Sequence, residues 1–134
     1  MTERTAACSC GKLRIAVSGD PVRVSICHCL ECQKRTGSVF GAQARFRRDQ
    51  VISMEGAFTT YTRVGDEGVG ADFHFCPACG SIVHYAIRDQ PDLIAIPVGA
   101  FADPSFPAPQ VSVYEARRHH WVLLPDDGSL HHID

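Results

Sequence analysis

Ala71-Asp72-Phe73-His74-Phe75-Cys76-Pro77-Ala78-Cys79-Gly80-Ser81-Ile82-Val83-His84-Tyr85-Ala86-Ile87 is the stretch on which the reading of this chain turns. Its two flanks are short and rich in aromatic and β-branched residues, which reads as a pair of strands. Between them, two residues separate Cys76 from Cys79, a spacing that makes a tight turn and aims both sulfurs at one point. Gly80 directly after the second cysteine permits the positive φ that such a turn needs. A hairpin tipped by a metal knuckle is the implied unit.

Working outward, most periodic segments alternate with period two and are short. Lys12 to Val17 places Leu13, Ile15 and Val17 on one face and Lys12, Arg14 and Ala16 on the other. Gly19-Asp20-Pro21 then turns the chain into Val22 to Ile26. Further strands are expected at Val39 to Phe46, Val51 to Met54, Thr59 to Val64 and Leu93 to Val98. Glu55-Gly56, Gly65-Asp66 and Gln90-Pro91-Asp92 punctuate them. Leu30 to Thr36 alone reads as helix, stopped by Gly37 with Lys34 and Arg35 in its last turn. From Phe101 the chain is Pro-rich (Pro104, Pro107, Pro109), before a last apolar run at Trp121 to Leu124. The expectation is a mainly β, antiparallel domain with one short helix, a single domain over residues 1–134.

Acidic residues outnumber basic ones, 15 to 13, so nucleic acid and anionic membranes are not expected partners. The first residues lack the apolar core of a signal peptide, and no stretch approaches a membrane span. A cytoplasmic protein is expected. In a reducing compartment, clustered cysteines are metal ligands or catalytic groups rather than disulfides.

The seven cysteines divide into four and three. Cys8 and Cys10, two apart and on one face if that segment is extended, pair with Cys76 and Cys79 to make a closed four-cysteine zinc site. Cys27-His28-Cys29-Leu30-Glu31-Cys32 supplies the other three. Cys27 and Cys29 share a face in extended backbone, and Cys29 and Cys32 share one in a first helical turn, where the helix dipole favours thiolate. His28 then points away. Three thiolates leave one coordination position open, where an added thiol would be deprotonated and made nucleophilic toward an aldehyde carbon. Lys34 and Arg35 are candidates to bind a substrate carboxylate. Two other readings stay open. A histidine (His74, His84, His119 or His120) could fill the fourth position, or the cluster could be a redox dithiol. His131-His132 reads as surface.

Taken in order and spacing, Cys8-x-Cys10-Gly11, the run from Cys27 to Ser38, Phe73 to Ser81 and Val98 to Asp103 resemble the glutathione-dependent formaldehyde-activating enzyme family, which includes the centromere protein V type of zinc domain. The resemblance covers nearly the whole chain. It implies a β-tent fold and two zinc ions per chain. One is structural, on Cys8, Cys10, Cys76 and Cys79; the other is on Cys27, Cys29 and Cys32. It also implies carbon–sulfur lyase or synthase activity on a thiol–aldehyde adduct such as S-hydroxymethylglutathione, with glutathione and an aldehyde as partners. The alternative is a non-catalytic two-zinc binding module for a protein or small thiol.

Overall fold

The computed structural model describes residues 1–65 and 68–134, so the Asp66 half of the expected Gly65-Asp66 turn lies outside the described residues. Over the described residues the chain is mainly β with one α-helix, and it falls into two compact units. The first comprises Met1–Val22 and Ala44–Phe106, the second Arg23–Gln43 and Pro107–Asp134.

In the first unit, β1 (Glu3–Ala7) pairs antiparallel with β2 (Arg14–Ser18), Ala6 opposite Ile15, and β2 pairs antiparallel with β5 (Val51–Glu55). The alternation read in β2 holds, since Leu13, Ile15 and Val17 are all buried while Arg14 is exposed. β6 (Thr59–Val64), β7 (Gly70–Phe75), β8 (Ile82–Ile87) and β9 (Leu93–Pro97) follow as an antiparallel meander. Their inward residues Ala71, Phe73, Tyr85 and Ala95 form one apolar cluster, joined by Ile82 and Ile87. A register shift between His74 and Phe75 bends β7 immediately before the Cys76 turn, as bulges do. Beneath β1 a short 3-10 turn, Val98–Phe101, stacks Phe101 between Phe46 and Phe106, at 6.1 and 4.7 Å between ring centroids.

The second unit holds β3 (Arg23–Cys27), α1 (Leu30–Thr36), β10 (Val111–Val113) and β11 (His131–His132). β4 (Gly41–Arg47) begins here and runs across the sequence boundary between the units. α1 occupies the expected residues, and Gly37 ends it in the left-handed region at φ 69°, its N–H returning to Gln33 O. β10 lies parallel to β3, with Ser112 opposite Ile26, and β11 lies parallel to β10. These parallel pairs stand beside the antiparallel pairs of the first unit, in keeping with a mainly antiparallel domain. Parallel partners need a long connection, and most of the chain separates β3 from β10. Trp121 and Leu123 of the late apolar run are exposed, and only Val122 of Trp121 to Leu123 is buried.

β11 is pinned by an ion pair, His132 Nδ1 to Glu115 Oε2 at 2.7 Å, while His132 Nε2 approaches Pro125 O at 2.9 Å. The bond to Glu115 raises the His132 pKa above its ordinary 6.5. Burial pushes Glu115 up, but bonds from Ser112 and His132 outweigh it and hold its carboxyl below the ordinary 4.5. The histidine contribution to stability is therefore complete below pH 6.5 and fades as pH rises through the raised value. The carboxylate contribution is complete above pH 4.5 and fades as pH falls through the depressed one. In an NMR titration, His132 should show a midpoint above 6.5 that returns to the ordinary value in Glu115→Gln. A midpoint at or below 6.5 in the unaltered protein would remove the pair as an anchor of β11.

Candidate metal centres

The four sulfurs of Cys8, Cys10, Cys76 and Cys79 lie within 4.8 Å of one another. Two of the separations, Cys8 to Cys10 and Cys10 to Cys76, are 3.6 Å. A tetrahedral zinc with bonds of about 2.3 Å requires sulfurs about 3.8 Å apart, so the set fits that ion. Cys76 N–H donates to Ser81 O at 3.0 Å and Gly80 N–H to Cys76 O at 2.8 Å, which closes the knuckle as its spacing implied. Gly80 takes φ +81° there. Cys8 and Cys10 converge differently from the sequence reading. They lie past the end of β1, in a turn closed by Gly11 N–H to Cys8 O at 3.0 Å. The turn, rather than strand alternation, brings the two thiols together. Backbone donors face the sulfurs, Leu13 N–H to Cys8 Sγ at 3.2 Å and Ala78 N–H to Cys76 Sγ at 3.4 Å, the arrangement that stabilises thiolate.

Cys27, Cys29 and Cys32 form the second group, again with sulfurs within 4.8 Å, and no histidine nitrogen belongs to it among the described residues. Cys27 ends β3. Cys29 is the N-cap of α1, still extended at φ −60° and ψ 151°, and its sulfur accepts the Cys32 N–H at 3.2 Å. Cys32 lies one turn into the helix, with Arg35 Nη2 3.7 Å from its sulfur.

The electrostatics of both groups suit a cation. Cys32 is drawn down to about 5 by its bonds with Cys27 and Cys29 and by the Arg35 guanidinium. Cys27 is pushed up by its bond with Cys32 and by burial, and Cys29 by burial. In the closed group Cys79 is held down to about 5 by the backbone N–H of Ser81. The Lys12 backbone draws Cys10 down, but burial and the three neighbouring sulfurs prevail and push it up to about 11. Neighbouring thiols thus share protons, because several negative sulfurs cannot stand side by side unaided. A divalent ion removes that conflict and takes all of them as thiolates.

Lys34 is turned to solvent and to Glu31, 2.8 Å away, so of the two basic residues expected here only Arg35 lies against a sulfur. His28 points away from the sulfurs, as expected, and is wholly buried. Its Nε2 meets Ser112 Oγ at 2.9 Å, and its backbone N–H donates to Val113 O at 3.0 Å. Gln33, which the sequence reading passed over, ties three segments together. Its Nε2 donates to His28 O at 2.9 Å and to Arg117 O at 3.2 Å, and its Oε1 meets His119 Nε2 at 2.9 Å. His119 is therefore fixed beside the helix rather than placed on the sulfurs. The only signal for Gln33 was its i+4 relation to Cys29, which puts the two on one helix face; its distant partners left none.

The family model for the glutathione-dependent formaldehyde-activating enzyme matches residues 3–117. Among solved structures, the chain is similar to a crystal structure of a Rhodobacter sphaeroides protein. The two are 24% identical, with a TM-score of 0.58, over 75% of this chain and 91% of that one. That likeness bears on the fold. No curated protein matches the chain.

Proposed function

The chain belongs to the glutathione-dependent formaldehyde-activating enzyme family, and on that premise we propose that it makes or breaks the carbon–sulfur bond of a thiol–aldehyde adduct. Residues 1–134 would serve as one domain of that type, with zinc in both cysteine groups. Clustered cysteines that serve as metal ligands fit a reducing cytosol, where we place the protein. The observation that carries the reading is the inequality of the two groups. One has four sulfurs and the other has three, with no histidine or carboxylate completing the second among the described residues.

In the proposed reaction the thiol sulfur bonds to the aldehyde carbon. The carbonyl π pair moves to oxygen, and the proton released by the thiol ends on that oxygen, giving R–S–CH2–OH from formaldehyde. Zinc, when bound, would supply Lewis acidity and hold the incoming sulfur as thiolate. Cys27, Cys29 and Cys32 would be its ligands. Arg35, beside Cys32, offsets negative charge there and offers guanidinium donors to a carboxylate on the thiol. The His28 bond to Ser112 and the Gln33 bond to His28 O hold the ligand loop still, so the sulfurs need not reorganise. Burial holds the His28 pKa below the ordinary 6.5, and its Nε2 is engaged by Ser112, so we assign it a positioning role.

The test is cobalt replacement followed by glutathione and then formaldehyde. Glutathione should change the sulfur-to-cobalt absorption saturably, and the hydroxymethyl adduct should then form faster than without protein. A spectrum indifferent to glutathione would leave a two-metal binding module instead.

A further inference from the structure

The first unit carries a groove whose lining includes none of Cys27, Cys29 and Cys32. We infer that the groove flanking the closed cysteine group binds a small organic carboxylate with an apolar body, its head held by Arg14. The groove encloses about 550 Å³, within the usual range for small-molecule sites. Arg14, Ser9 and Ser81 are among its polar lining residues, and Ile82, Ala100 and Phe101 among its apolar ones.

Three observations converge on it. Arg14 stands on the outward face of β2, opposite Glu55 in the register with β5. It makes no ion pair or hydrogen bond with Glu55 or any other described residue, so its five donors are uncommitted. Ser9 Oγ and Ser81 Oγ lie 3.0 Å apart and Ser81 Oγ also lies 3.6 Å from Cys79 Sγ, so the two hydroxyls tie this side of the groove to the closed cysteine group. The third wall is the turn Val98–Phe101, closed by Ala102 N–H to Gly99 O at 3.0 Å with Ala102 at φ 50°. A non-glycine residue in this left-handed conformation is strained, and strain of this kind collects at ligand clamps. This turn belongs to the Val98 to Asp103 motif, none of whose residues belongs to either cysteine group.

The composition of the groove sets the ligand class. One guanidinium fork matches one carboxylate in two-point geometry, and a single cation balances a single negative charge. The aliphatic and aromatic walls take a hydrocarbon body, which rules against a bare inorganic anion.

The experiment follows backbone amides by NMR in the metal-loaded protein during titration with hexanoate, and separately with hexylammonium. Hexanoate should shift Ser81, Gly99 and Ala100 saturably, while hexylammonium should not. Arg14→Gln should weaken hexanoate about tenfold, the loss of one charged hydrogen-bonding partner. A Cβ at Gly99 meets nothing within 4 Å, so Gly99→Leu should fold normally and block binding by filling the groove. Absence of saturable shifts with hexanoate would overturn the proposal, as would equal shifts with hexylammonium. So would Arg14→Gln that alters metal retention but not hexanoate affinity, because Arg14 would then serve the sulfurs. Should Arg14→Gln fail to fold, unchanged hexanoate binding in Gly99→Leu overturns the proposal by itself.

Discussion

Cys79→Ser should yield little or no soluble folded protein. Its side chain is exposed, and serine differs from cysteine by one atom, so apolar packing predicts almost no effect. The metal predicts a large one. A structural zinc is worth on the order of 10 kcal/mol of folding free energy, while a domain of this size is stable by only about 5–15 kcal/mol. On the proposed reading Cys79 is a ligand at the tip of the β7–β8 hairpin, and removing it threatens most of the margin. It also releases Cys8 and Cys10, which hold the end of β1 to that tip through shared sulfur positions. Soluble yield and thermal unfolding check this, and a strong chelator applied to the unaltered protein should mimic the substitution. A variant that melts with the parent would mean that strand packing, not metal, supports the first unit.

Cys29→Ser should behave in the opposite way, folding normally while binding about one metal ion fewer and losing any response to added thiol. The reason lies in the cap of α1. Cys29 occupies the N-cap and accepts the Cys32 N–H, a task for which serine is among the best residues. The helix start is preserved. Two sulfurs remain, too few for a site that already lacked a fourth protein ligand. Metal analysis together with circular dichroism separates the outcomes. Loss of fold here, or retention of both ions, would abolish the distinction between a closed and an open centre. The two substitutions make a matched pair, chemically identical and opposite in consequence.

Much of this was legible in the residues themselves. The helix over Leu30 to Thr36 announced its end with Gly37, because few residues besides glycine take a left-handed cap cheaply. The buried face of β2 followed from alternation, and the membership of both sulfur groups from spacing. What escaped notice depended on partners rather than on local pattern. Glu3–Ala7 has little strand character and becomes β1 by pairing with β2. β10 is three residues in a Pro-rich region, held by β3 on one side and β11 on the other. The turn that joins Cys8 to Cys10 looked like extended chain, since both conformations bring alternate residues together. Gln33 sat inside the clearest motif and still gave no hint of its role, because three of the groups it binds come from His28, Arg117 and His119.

The His28–Ser112 bond spans 84 positions of sequence, and that has a consequence for synthesis. A ribosome exposes Cys27, Cys29 and Cys32 long before the residues that immobilise them have left the exit tunnel. During that interval the nascent thiols are chemically complete yet mechanically slack, open to stray copper or to oxidation. The fixing of these three sulfurs therefore arrives late, with the tail of the polypeptide, and a fragment that ended before Ser112 would keep every cysteine yet lack that bond.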